Sequence, residues 1–128
     1  MFFASIYGTW NHLLLGDRIW LARLQVQSVP YQRLGLELYA DFGQLRSAQT
    51  DCDQALLDWI QGLQTDDLQR RIAFRSLSTG QDKDLSVSTM LTTLLIHKTH
   101  HRGQITALLR QCGCNYGAID YICAPFVD

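Results

Sequence analysis

Along the first part of the chain, apolar positions recur at helical spacing. Ile6, Trp10, Leu13, Trp20 and Leu24 gather on one face of a helix predicted from about Ser5 to Gln25. Asp17 falls on that same face. A carboxylate there must pair with a donor such as an arginine or sit at the rim of the core, because an unpaired buried charge is strongly unfavourable. The stretch "QSVPYQRLGLELYADFG", marked by Pro30, Gly35 and Gly43, reads largely as a connection. A second helix is predicted from about Leu45 to Leu63, with Leu45, Cys52, Leu56, Trp59, Ile60 and Leu63 on its apolar side. Ile72, Phe74 and Ser76 then alternate with Ala73, Arg75 and Leu77 before the turn-rich "STGQDKD", the pattern of a short extended hairpin. The third helix starts near Ser86 or Ser88, either of which can cap it, and runs to about Cys112, where Gly113 stops it. The tail "CNYGAIDYICAPFVD" ends in apolar residues and is expected to dock back on the body. With Pro30 and Pro125 the only prolines, long helices are favoured and the class is all-α, with one hairpin before the last long helix.

That third helix carries an unusual insertion into its apolar arc. At 100° per residue, Val87, Met90, Leu94, His97, His101, Gln104 and Leu108 follow a three-four alternation, the seam that packs inward in a helical bundle. His100 lies at the border of the arc, and Thr99 and Arg102 point away from it. Each buried polar group left without a partner costs about 1–3 kcal/mol, so this stripe requires partners. Imidazoles four residues apart project from one side of a helix and can approach a single cation at about 2.0–2.1 Å. The competing reading is of core-edge histidines bonded to carbonyls or carboxylates. Two metal chemistries are excluded. In "HKTHH" Lys98 occupies the place where HExxH metallopeptidases carry their general base. Carboxylate-bridged di-iron bundles need several glutamates, and Glu37 is the only one in this chain. A mononuclear, histidine-rich site remains, and its third ligand is either His12, on the flank of the first helix beside the small residues Thr9 and Gly16, or the more crowded His100.

Composition narrows the setting. At 128 residues with 47% apolar and 18% charged side chains, the chain can bury one ordinary core, so residues 1–128 are expected to form a single domain. Lys plus Arg number 11 against 12 Asp plus Glu, with no block of either sign, which disfavours nucleic acid or an anionic membrane as partner. No apolar run approaches the ~18 residues of a spanning helix. "MFFASIYGTWNHLLLGDRIWL" is interrupted by Asn11, His12, Asp17 and Arg18 and lacks the marks of an export signal. Cys52, Cys112, Cys114 and Cys123 have no CxxC spacing and are expected to be reduced thiols in a cytoplasmic protein.

Taken together, "NHLLLGDRIWLARL", "HKTHHRGQITALLRQCG" and the later aspartate of "AID" resemble the DinB family of small helical bacterial proteins, over about Phe2 to Tyr121. The name denotes the damage-inducible four-helix family and not the DNA polymerase that shares it. The resemblance implies a four-helix bundle holding a divalent metal, zinc, nickel or iron, on three histidines, and it selects His12, His97 and His101 as ligands. Such a triad with an open position is a catalytic pattern, in which a metal-bound water or a thiol is activated. It further implies hydrolase or thiol-transferase chemistry on a small molecule, with a low-molecular-weight thiol as one candidate partner. Gln104 and Asp17 are candidates for contacts behind the ligands or to substrate, Asp17 and Asp120 are candidate bases beside the metal-bound water, and Gly103 is expected to permit close helix packing. The opposing class is a non-catalytic metal-binding stress protein or helical interaction module. Family members usually carry a helix ahead of the one bearing "NHL", and here Met1 lies only a few residues upstream. The expectation is a bundle completed by a second subunit as a homodimer, the alternative being a reading frame that starts late.

Overall fold

The computed structural model describes residues 5–126. Helix α1 spans Ile6–Leu24, α2 spans Phe42–Gln61, strands β1 (Arg71–Arg75) and β2 (Asp82–Ser86) form a hairpin, and α3 spans Val87–Gln111. Short 3-10 turns occupy Thr65–Gln69 and Tyr121–Cys123. The described fold is thus three helices and a two-stranded sheet, where the resemblance implied four helices. No helix among the described residues is long and apolar enough to cross a membrane.

Each helix begins where a side chain replaces a missing backbone partner. Ser5 Oγ accepts from the Gly8 N–H, Asp41 Oδ1 from the Gln44 N–H, and Ser86 Oγ from the Thr89 N–H. The Asp41 cap explains why α2 starts three residues ahead of the position expected from its apolar spacing. α1 ends in a Schellman arrangement, with the Gln27 N–H bonded to the Ala22 carbonyl at 2.8 Å and the Val26 N–H to the Arg23 carbonyl at 3.0 Å. Gly113, at φ +77°, closes α3 as expected.

α1 is the centre of the molecule. Leu13, Leu14, Leu15, Ile19, Leu21 and Leu24 are all buried, so the helix is enclosed on more than the single face its spacing suggested. An element apolar around most of its girth is stable only when neighbours cover it on several sides. On one side Leu21 and Leu24 pack with Leu56 of α2, Ile72 of β1 and Val87, Met90 and Leu94 of α3. On another, Leu14 packs with Leu45, Ala48 and Cys52 of α2. Fully burying each such leucine contributes about 1.5–3 kcal/mol.

The hairpin pairs Arg71 with Ser86 and Arg75 with Asp82 in antiparallel register. Ile72 turns into the core and Phe74 lies half-buried, while Arg71–Asp84 and Arg75–Asp82 form ion pairs on the exposed face. The loop is shorter than expected: residues 82–84 already belong to β2. Ser86 both ends that strand and caps α3, so hairpin and helix are joined without a linker.

The C-terminal segment does not behave as expected. Its apolar residues Ile119, Tyr121, Ile122 and Phe126 lie exposed, Phe126 at 76%, so they are not docked on the body. The run carries a turn at Tyr121–Cys123 and a ring contact between Tyr121 and Phe126.

Candidate metal centre

His12 projects from the middle of α1, and His97 and His101 lie one turn apart on α3. Packing of α1 on α3 brings one ligand-capable atom of each to within 4.8 Å of the others. His12 Nε2 and His97 Nε2 stand 3.1 Å apart. Two nitrogens bound to one cation at ordinary distances and a tetrahedral angle would be about 3.3 Å apart. Ring centroids of His101 lie 4.6 Å from His12 and 4.5 Å from His97, both nearly edge-on.

Small and polar residues set these rings in place. A Cβ at Gly16 would lie 3.2 Å from His97 Cε1, so the glycine leaves the space into which His97 fits. Thr9, three residues before His12, is fully buried. His101 Nδ1 lies 2.8 Å from Gln104 Oε1. A carbonyl oxygen only accepts, so this contact calls for a proton on Nδ1 and leaves Nε2 as the nitrogen that faces away from Gln104. Gln104 Nε2 in turn reaches the exposed His100 at 3.4 Å. Gln104 therefore stands directly behind a histidine of the cluster, and His100 lies one step further out.

Burial pushes the His12 imidazole down to about 4, and the neighbouring His101 and His97 push the same way. His97 is likewise lowered to about 4 by burial, then by His101, His100 and Lys98. Both rings are neutral at pH 7, with lone pairs available. His97 Nδ1 is buried with no hydrogen-bond partner. Three convergent imidazoles, a glycine-made space and tautomer control of one ring are together compatible with binding a divalent cation.

Asp17 is 1% exposed and finds a lysine, not an arginine. Lys98 Nζ lies 2.6 Å from Asp17 Oδ2 and 3.1 Å from Asp53 Oδ1, and Gln49 Nε2 donates to Asp17 Oδ2 at 2.8 Å. Burial raises the Asp17 carboxyl while Lys98 and Gln49 oppose that rise. Burial alone would lower Lys98, but Asp17 and Asp53 outweigh it and hold the ammonium above its ordinary value. Asp17, Lys98, Asp53 and Gln49 thus tie α1, α2 and α3 together beside the histidines.

Asn11, next to His12, is a residue that sequence reasoning passed over. Its Oδ1 accepts from the Leu38 N–H at 2.9 Å and the Tyr39 N–H at 3.1 Å, pinning the long connection to α1. Arg18 reinforces it through the hydroxyls of Tyr31 and Tyr39. The signal was a buried amide within a helix, which must find partners outside it. Other expectations fail or move outward. Nothing lies within 4 Å of a Cβ built at Gly103, so no helix packs against it. Asp120, a candidate base, is exposed on the C-terminal segment, while Arg102 is exposed as its place off the apolar arc implied.

His12 and His97 share a cavity of about 330 Å³ with Gly16, Trp20, Arg23 and Phe74. His12 also lines a second cavity, of about 210 Å³, where Glu37 and Asn11 join it.

The sequence profile of the DinB family matches residues 1–127. The chain belongs to the DinB family. Its fold is shared by a crystal structure of a DinB-like protein from Bacillus cereus ATCC 10987, with a TM-score of 0.68 and 19% identity over 91% of this chain and 73% of the other. No curated protein is significantly similar in sequence. Within the DinB fold, the three-histidine cluster lies between the central helix and the last long one.

Proposed function

We propose that this DinB-family chain is a divalent-metal-dependent enzyme of hydrolase or thiol-transferase type, acting on a small molecule beside a three-histidine centre. The observation that carries the reading is the convergence of His12, His97 and His101, of which His12 and His97 line a cavity large enough for a small substrate. His12 and His97 would hold the ion through Nε2, and His101 through the nitrogen opposite its Gln104 contact. Imidazole donors suit zinc, nickel or iron. When bound, such an ion supplies Lewis acidity, polarising an electrophile or lowering the pKa of a water or a low-molecular-weight thiol beside it.

The remaining residues position and exclude. Gln104 holds His101 in one tautomer and one orientation. Gly16 gives His97 its place against α1. Asp17 is engaged by Lys98 and Gln49 and holds the helices in register, which leaves it out of proton transfer. Trp20, Phe74, Ile19 and Leu85 line the cavity and keep water from an apolar substrate body.

A second copy of the chain belongs to the same proposal. Leu57 and Ile60 stand one and two turns beyond Asp53 on α2, and Leu95 one turn before Lys98 on α3. They are exposed, Leu95 at 55% and Leu57 at 47%, and flank the ion pair joining the two helices. Such exposed apolar residues beside one another are suited to cover by a helix from a partner.

The test is turnover of ester, amide and electrophilic substrates by zinc-, nickel- and iron-loaded protein, with and without small thiols. Turnover that requires the metal and disappears in His97→Ala is expected. Metal-loaded protein that stays inert throughout would favour a non-catalytic metal-binding role.

A further inference from the structure

Arg23 is the least explained charge in the molecule. It is 8% exposed, yet no carboxylate among the described residues pairs with it. Its Nη2 donates to the Arg75 carbonyl at 3.2 Å, its guanidinium carbon stands 4.3 Å from the Phe74 ring centroid and 5.1 Å from that of Trp20, and its buried Nε has no partner. A buried guanidinium ordinarily comes paired. Arg23 also lines the cavity that contains His12 and His97. Lys83 lies on the same wall, and no Asp or Glu does. The described cavity therefore combines apolar aromatic walls with two cations and no anion.

We infer that the cavity selects an organic acid, its apolar body against Trp20 and Phe74 and its carboxylate or phosphate on Arg23, with Lys83 assisting. This rests on the reading of that cavity as the substrate site. The spacing along α1 adds a length requirement. His12 and Arg23 are separated by about 16 Å of helix, and the arginine side chain leans back toward the N-terminus. The anionic group of the ligand thus binds several bonds from the end that faces the histidines. Guanidinium presents paired donors that match carboxylate and phosphate oxygens, and its unsatisfied Nε–H is one of them.

The test compares 4-phenylbutyrate, 4-phenylbutyl phosphate and the neutral 4-phenylbutanamide by calorimetric titration of the full chain freed of metal with a chelator. Both acids are expected to bind roughly 10- to 100-fold more tightly than the amide, the ordinary scale of a charge-assisted hydrogen bond. If only one of them does, it identifies which anion the site takes. Arg23→Gln should reduce the preference to less than about 3-fold, Arg23→Lys should keep part of it, and Lys83→Gln should lower it modestly. Because Arg23 packs on two aromatic rings, a second readout in the unaltered protein is included: the Arg23 Nε–H resonance, assigned by its absence in Arg23→Lys, should move with acid and not with amide. Equal binding of acid and amide, no binding of any of the three, or a preference that survives Arg23→Gln would overturn the inference. Absence of metal uptake would instead sink the three-histidine reading while leaving this titration intact, since it is run without metal.

Discussion

Lys98 sits between two histidines of the cluster and neutralises Asp17, which is buried with one oxygen, Oδ1, lacking a hydrogen-bond partner. Removing the lysine leaves that carboxylate uncompensated. Lys98→Met is expected to destabilise the fold by about 3–5 kcal/mol, and adding Asp17→Asn should restore much of the loss. Urea denaturation checks both, and a Lys98→Met loss below about 1 kcal/mol would show that the pair is not needed. Sequence periodicity gave Asp17 an inward face but no partner, because a wheel orders residues within one helix and says nothing about which helix lies opposite. The same limit applied to the histidines. His97 and His101 could be paired by local geometry alone, whereas His12 against His100 was decided only by resemblance to a family. The two depressed imidazoles have a pH consequence. In metal-free protein His12 and His97 titrate near 4 when folded and near 6.5 when unfolded, so between those values the unfolded chain binds more protons. Their contribution to stability is complete above about pH 6.5 and is lost as pH falls toward 4. The urea midpoint of chelator-treated protein should drop from about pH 7 to about pH 4.5, and His97→Leu should flatten that drop. A midpoint that is unchanged, or equally steep in the variant, would contradict this.

Among the elements, helix ends were read best where a capping side chain announced them, as at Ser5 and Ser86, and less well at Asp41, whose cap lies before the apolar spacing starts. The enclosure of α1 was missed because a one-sided wheel was fitted to a segment containing three consecutive leucines, Leu13 to Leu15, all of which are buried. The exposed apolar tail was missed for the opposite reason: apolar composition gives no assurance of docking where no spacing defines a face. One end of α1 is strained. Val26 holds φ at 55°, a left-handed conformation that a β-branched residue adopts only at a cost, in the position a Schellman motif usually gives to glycine. Val26→Gly is expected to raise stability by about 1 kcal/mol in thermal or urea unfolding. A loss of similar size would mean that the exposed Val26 side chain makes contacts that outweigh the strain.

For the whole molecule, what was legible was the helical class, the hairpin before α3 and the residues that meet at its centre. The three helices were legible from spacing and caps as well, whereas the fourth helix of the bundle came only from the family resemblance and is not among the described residues. If a second copy covers the α2–α3 strip, Leu57→Asp combined with Leu95→Asp should convert a dimer to a monomer in sedimentation velocity, and a wild-type chain already at monomer mass would rule that out. The cluster at the centre is tested most directly by elemental analysis of purified wild-type protein beside His12→Ala, His97→Ala and His101→Ala, each first shown by circular dichroism to keep its helices. About one divalent ion per wild-type chain and close to none in every variant is the expected result. The same trace level in all four proteins, or full occupancy that persists without these histidines, would contradict the three-histidine centre.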